Sequence, residues 1–198
     1  MGKDNIQEKL LETGRKMIQS QGLNALTARK LSEASGCSVG TIYNQFGNMD
    51  NYILIQNYLT LTDLQQSLLA LPDMPSYEKL NAYADAFAQF VLLNRNVWFV
   101  LFNFHLTQSA RNFSVTYLRK ISTVLMLLEK ELKILYPDLK PDKRQIATQV
   151  LWITLFALSA LLTTDSINTY SKLEPTKISK FLLGTYLTGL KVLEKSSN

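Results

Sequence analysis

T-A-R-K-L-S-E-A-S-G-C-S-V-G-T-I-Y-N-Q-F, residues 27–46, spells two short helices and the turn between them. Thr27 is a residue type that caps a helix N-terminus. Leu31 and Ala34 recur at helical spacing, and Gly36 suits the left-handed conformation that ends a helix. A second helix opens at Ser38, another capping type, with Val39, Ile42, Tyr43 and Phe46 on an apolar face. Thr41, Asn44 and Gln45 are then left for a polar partner. Two helices joined by a turn of about three to four residues containing glycine form a helix-turn-helix, whose second helix sets its N-terminal residues against base edges in a DNA major groove. Glycine-bearing turns between helices also occur in proteins that never touch nucleic acid, so the pattern alone leaves both readings open.

The rest of the chain reads as all-α. Its 198 residues suffice to bury a full core, and only eight are glycine and five proline. Apolar residues recur every three to four positions rather than alternating. Asp4 with Gln7 predicts a first helix to about Ser20, with Leu10, Gly14, Met17 and Ile18 on one face. Asn48 caps a fourth helix through Tyr52 to about Leu69, and residues 71–76 break the pattern. Further helices are expected at 76–93, at 97–108 (apolar nearly all round), at 111–136, at 142–164 and at 175–195. These roughly nine helices divide into an N-terminal module, 1–47, and a larger helical domain, 48–198, joined by the 48–69 helix.

Composition excludes several functions. Cys37 is the lone cysteine and His105 the lone histidine, which rules out an internal disulfide and a Cys-rich zinc site, and implies no metal or cofactor. The first residues carry charges but no apolar signal region, and the apolar window 150–162 is too short to span a bilayer, so a soluble cytoplasmic protein is expected. The Met-Gly start fails as a myristoylation signal because position 6 is Ile6. Net charge is +5, yet residues 1–47 hold only Lys3, Lys9, Arg15, Lys16, Arg29 and Lys30 against Asp4, Glu8, Glu12 and Glu33. The placement of a few basic groups therefore matters more than bulk charge.

Leu10, Leu11, Gly22, Leu26, Thr27, Arg29, Lys30, Leu31, Ala34, Gly36, Ser38, Gly40, Thr41, Ile42, Tyr43 and Phe46 stand in the order and spacing of the N-terminal domain of the TetR family of bacterial repressors, which this region resembles. The resemblance covers the first quarter of the chain and implies a DNA-binding head on a variable α-helical domain that dimerises and binds an effector. The expected DNA-binding residues are Thr27, Ala28, Arg29, Lys30, Ser38, Val39, Gly40, Thr41, Tyr43, Asn44 and Gln45. Arg29 can donate two parallel hydrogen bonds to guanine or clamp a phosphate. Val39 can touch a thymine methyl, and Gly40 admits close approach of the backbone. Thr41 and Tyr43 carry hydroxyls suited to phosphate, and Gln45 an amide that matches adenine, where the family often has histidine. Met49 departs from the family, which usually has a phosphate-holding lysine there, so Lys30 or Lys3 would carry more of the charge contact. Cys37 fills the turn as a small residue.

Two further surfaces are expected. Trp98, Phe102 and His105 share a helix face, and with Tyr83, Phe87, Phe90, Tyr117, Trp152 and Phe156 they could wall a pocket for a small apolar or aromatic effector. The same stripe also reads as ordinary core. Leu155, Leu158 and Leu162, together with Phe181, Leu182, Tyr186, Gly189 and Leu193, are the expected homodimer interface. A two-fold dimer sets two recognition helices about 34 Å apart on a pseudo-palindromic site in double-stranded DNA. The sequence thus reads as a repressor released by its effector, or a DNA-binding regulator without one. A helical carrier or enzyme is the rival, although no nucleophile and base, paired carboxylates or phosphate loop can be placed on neighbouring helical positions.

Overall fold

Capping side chains fix the first helices. In a computed structural model that describes residues 3–108, 113–164 and 174–195, α1 spans Lys3–Gln21, α2 Ala28–Ser35 and α3 Val39–Phe46, with a 3-10 turn at Leu23–Ala25. Thr27 accepts from the Lys30 amide at 3.2 Å and Ser38 from the Thr41 amide at 3.1 Å, each supplying one of the bonds a helix start lacks. Gly36 ends α2 at φ 70°, its N–H donating to the Ser32 carbonyl at 2.9 Å. Six more α-helices follow among the described residues: α4 Met49–Leu69, α5 Ser76–Leu93, α6 Arg95–Thr107, α7 Val115–Leu135, α8 Pro141–Thr163 and α9 Pro175–Lys195. No strand occurs among these residues. The expected Asp4 cap and the expected helix start at residue 111 lie outside the described residues, as does the Lys3 side chain.

The chain divides into two compact units, 1–62 with 94–117, and 63–93 with 118–198. That division differs from a cut at residue 47, and the first core shows why. Leu10, Ile18, Leu26, Leu31, Ile42 and Phe46 pack with Tyr52 of α4 and with Val97 and Val100 of α6. The three N-terminal helices are too short to close a core by themselves, so α6 completes it, and its Asn96 amide donates to the Gln19 carbonyl at 2.9 Å. Tyr52 donates to the Leu10 carbonyl at 2.8 Å and accepts from Gln56 at 3.1 Å, while a Cβ at Gly14 would fall on the Tyr52 hydroxyl. Burial pushes the Tyr52 phenol up to about 12, so it stays a donor at any ordinary pH.

In the second unit α5 packs against α8 and α9. Tyr136 ties the end of α7 to α9 by donating to the Leu187 carbonyl at 2.7 Å. By length and composition α8 is apolar enough to cross a membrane, longer than the 150–162 window suggested. Its Ala147, Leu151, Leu155, Leu158 and Leu162 are instead buried in the unit's own core.

α6 departs from the expectation of an all-round buried helix. Trp98, Leu101 and Phe104 are buried, but Leu106 is 68% exposed and Phe99 39%.

Candidate nucleic-acid interface

The helix-turn-helix buries a narrow seam and offers the rest. Leu31 and Ser35 of α2 and Ile42 and Phe46 of α3 face inward. Ala34, expected on the apolar face, is exposed, and Ser35 takes the inner place. The Ser35 hydroxyl is satisfied there by the Cys37 amide at 3.2 Å, and Ser32 donates to the Cys37 carbonyl at 2.6 Å, which locks the turn. Cys37 is half-buried against the first core.

On α3 the outward residues are Ser38, Val39, Gly40, Tyr43 and Asn44. Val39 and Tyr43 therefore do not join the inner face, as the apolar pattern implied. Ile42 and Phe46 alone fill the space against α2, and a helix of 8 residues has one narrow contact seam. Thr41 and Gln45 are half-buried. The Thr41 hydroxyl lies 2.9 Å from that of Ser38, so the two share a hydrogen bond within the cap.

A Cβ built at Gly40 would meet nothing closer than the Ser38 hydroxyl at 3.7 Å. Glycine in a helix costs about 1 kcal/mol relative to alanine. No intramolecular contact explains its use here, in contrast to Gly14.

The basic residues beside this face are held by neighbours. Arg29, at 88% exposure, pairs through Nε with Glu33 at 3.1 Å, and Lys30 donates to the Asn24 carbonyl at 3.3 Å. Sequence reasoning named both cations but missed these partners. The i to i+4 spacing of Arg29 and Glu33 was the available signal for the first. Ala28 is half-buried and Thr27 exposed. Met49 packs half-buried on the first core, an apolar role that a lysine would not fill.

The nine expected effector residues fall in both units. Trp98, Phe102, His105 and Tyr117 belong to the first, and Tyr83, Phe87, Phe90, Trp152 and Phe156 to the second. Trp98, Tyr117, Tyr83, Phe87 and Phe90 are buried, the others half-buried. His105 Nε2 and the Tyr117 hydroxyl are 2.7 Å apart. Burial pushes the His105 imidazole down to about 4 and the Tyr117 phenol up, so at neutral pH the phenol donates to a neutral ring nitrogen. In the second unit Phe87 meets Trp152 edge-on at 5.9 Å, and Trp152 meets Phe156 at 6.0 Å.

Of the expected interface residues, Leu155, Leu158 and Leu162 are not available to a partner, because they are buried within their own unit. The uncovered stripe of α8 is Ile146, Val150 and Ile153, at i, i+4 and i+7. Both stripes are apolar, so the pattern could not say which one the chain covers itself. On α9, Phe181 and Leu193 are exposed, as are Gly189 and Val192, whereas Leu182 and Tyr186 are half-buried. Tyr186 donates to the Ala147 carbonyl at 2.5 Å.

Residues 10–51 match the bacterial regulatory proteins of the tetR family, which bears out the resemblance drawn from the sequence. No curated protein matches the chain. A tetR-family transcriptional regulator from Streptomyces coelicolor is similar in structure at TM-score 0.72 and 12% identity, over 100% of this chain and 85% of that one. Thermus thermophilus FadR, a TetR-family repressor in complex with lauroyl-CoA, follows at 0.66 and 17%, covering 89% and 92%. Bacillus subtilis FadR, in complex with stearoyl-CoA, aligns at 0.66 and 17%, covering 92% and 98%. The chain thus has the TetR-like fold, an N-terminal helix-turn-helix on a larger helical body.

Proposed function

We propose, from a tetR-family N-terminal domain carried on a TetR-like helical fold, that this protein is a cytoplasmic, homodimeric transcriptional regulator that binds double-stranded DNA. The observation that carries the reading is the outward face of α3. Ser38, Val39, Tyr43 and Asn44 stand exposed around a glycine whose missing side chain serves nothing inside the protein. A helix presenting hydroxyls, one amide and a close backbone approach suits a major groove, with Arg29 beside it for a guanine or a phosphate. Thr27, Ala28, Lys30, Thr41 and Gln45 complete the surface. Arg29 is held by Glu33 through Nε in an exposed ion pair, which costs little to keep or to exchange for a contact with DNA.

The regulator acts as a repressor whose effector favours the state that does not fit the operator, since a ligand shifts only an equilibrium whose states it binds unequally. The aromatic residues around His105 in one unit and Phe87 in the other support a largely apolar effector. A long-chain acyl-CoA, of the kind held by the two FadR structures, is the first compound to try. The α8 stripe of Ile146, Val150 and Ile153, with Phe181, Val192 and Leu193 of α9, supports self-association, since exposed apolar area of this kind seeks cover.

The test is selection of bound fragments from random DNA by the full-length protein. The expected result is a pseudo-palindrome with half-sites one helical turn apart, weakened about tenfold by Arg29→Ala and by Tyr43→Ala. Equal retention of all sequences, with both variants indistinguishable from the parent, would favour a helical protein without a DNA role. An operator complex that no acyl-CoA or apolar metabolite dissociates favours a regulator without an effector.

A further inference from the structure

A groove of about 560 Å³ lies in the second unit, where the ends of α4 and α7 meet the start of α5. Its walls are mainly apolar and aromatic, including Leu69, Met74, Leu127, Ile134 and the two tyrosines Tyr77 and Tyr83. Two carboxylates line it as well, Glu131 of α7 and Asp73 of the α4–α5 connection. None of these residues belongs to the helix-turn-helix face or the exposed stripe of α8 and α9. Tyr83 alone is shared with the aromatic set.

Glu131 is the anomaly. It is only 6% exposed, and among the described residues it has neither a hydrogen-bond nor an ion-pair partner. Its carboxylate is not among the described polar atoms sealed from solvent, so it opens on the groove and takes its hydrogen bonds from whatever fills that space. The Lys79 ammonium, which also lines the groove, is committed elsewhere: it donates to the Leu71 carbonyl at 3.0 Å and the Pro72 carbonyl at 2.8 Å. It also sits 5.6 Å from the centre of the Tyr83 ring. Lys79 thereby closes the connection between α4 and α5, while Lys130 lies out in solvent at the rim. The group the site lacks is therefore a hydrogen-bond donor with positive charge, not an anion.

We propose that this groove binds an organic cation, a protonated amine on an apolar or aromatic body, whose N–H groups pair with Glu131 while Asp73 adds charge at the rim and the tyrosine rings flank the body. Charge-assisted bonds to a buried carboxylate are strong enough to select an ammonium over its neutral isostere. The Tyr83 phenol reflects the same arrangement. It is raised first by burial and then by the negative charges of Glu131 and Asp73, so both carboxylates act on one wall of the groove. The site stands whether or not the chain binds DNA.

The test is calorimetric titration of the full chain with phenethylamine, phenethyl alcohol and phenylacetate, a matched cation, neutral molecule and anion. Saturable binding of the amine is expected, with the alcohol and the acid weaker by about tenfold or more. Glu131→Gln should weaken the amine by about tenfold and leave the alcohol unchanged, and Asp73→Asn should produce a smaller loss. Without ligand, the Glu131→Gln variant should melt no lower than the parent, because it removes no hydrogen bond or ion pair to the protein. No saturable amine binding at millimolar concentration overturns the proposal, as does amine binding unaffected by Glu131→Gln. A lowered melting midpoint in that variant also overturns it, since Glu131 would then have a structural partner.

Discussion

The helix-turn-helix face of the first unit and the α8–α9 face of the second leave different side chains uncovered. The first exposes Arg29, Ser38, Gly40, Tyr43 and Asn44 with Val39 among them, a face mainly of hydrogen-bonding groups around bare backbone. The second exposes Ile146, Val150, Ile153, Phe181 and Val192, which can form no hydrogen bond through their side chains. Water solvates the first surface well and the second poorly, so the first can wait for an intermittent polar partner whereas the second favours a permanent apolar one. On the proposed function, their difference separates DNA reading from assembly within a single chain.

Breaking the apolar surface should have the largest effect. Ile153→Asp places a charge on the α8 stripe, twice per two-fold interface, and should cost about 4 kcal/mol of association or more. Sedimentation is expected to find the parent dimeric and the variant monomeric at the same concentration. If the variant sediments like the parent, the stripe is not where copies meet.

A second test lies inside the first unit. The His105 imidazole, pushed down to about 4 by burial, stays neutral in the folded chain while the unfolded chain takes up a proton near 6.5. Its contribution is therefore fully present above about pH 6.5 and is lost as pH falls toward 4, amounting to about 3 kcal/mol. Urea unfolding across that range should show the slope, and His105→Gln should flatten it. A slope that persists in the variant would place the proton uptake elsewhere.

Two glycines sharpen the contrast between packing and reading. Gly14→Ala puts a methyl group where the Tyr52 hydroxyl lies, so the bond to Leu10 must break, at about 2 kcal/mol of stability. Gly40→Ala should do the reverse, raising the stability of the free protein by about 0.5–1 kcal/mol because the site is open. The same variant should weaken operator binding, as measured by gel retention alongside urea unfolding. Unchanged DNA affinity in a stabilised Gly40→Ala variant would remove the argument that this glycine serves the groove.

The head was legible because its signals are local. Thr27, Ser38 and Asn48 cap their helices through bonds spanning three residues, and Gly36 adopts the left-handed turn its lack of a side chain allows. Such signals do not depend on what the rest of the chain does. Periodicity likewise placed the later helices to within a few residues wherever they fall among the described residues.

The candidate site was less legible. Val39 and Tyr43 look like core by type and stand exposed, while Ser35 looks like surface and is buried. Leu155, Leu158 and Leu162 carry the same chemistry as Ile146, Val150 and Ile153, so no rule of composition separates the stripe the chain covers from the one it leaves open.

By itself, then, the sequence determined an all-helical chain with a helix-turn-helix near its start, because caps, turn glycines and helical spacing act over a few residues. Only the tertiary structure decided that α6 closes the first core, that Leu155 of α8 is covered while Ile153 is left open, and that the buried side chain of Glu131 lines a groove. Each of these depends on which faces meet. That choice is settled by the packing of whole helices against one another, which local spacing does not encode.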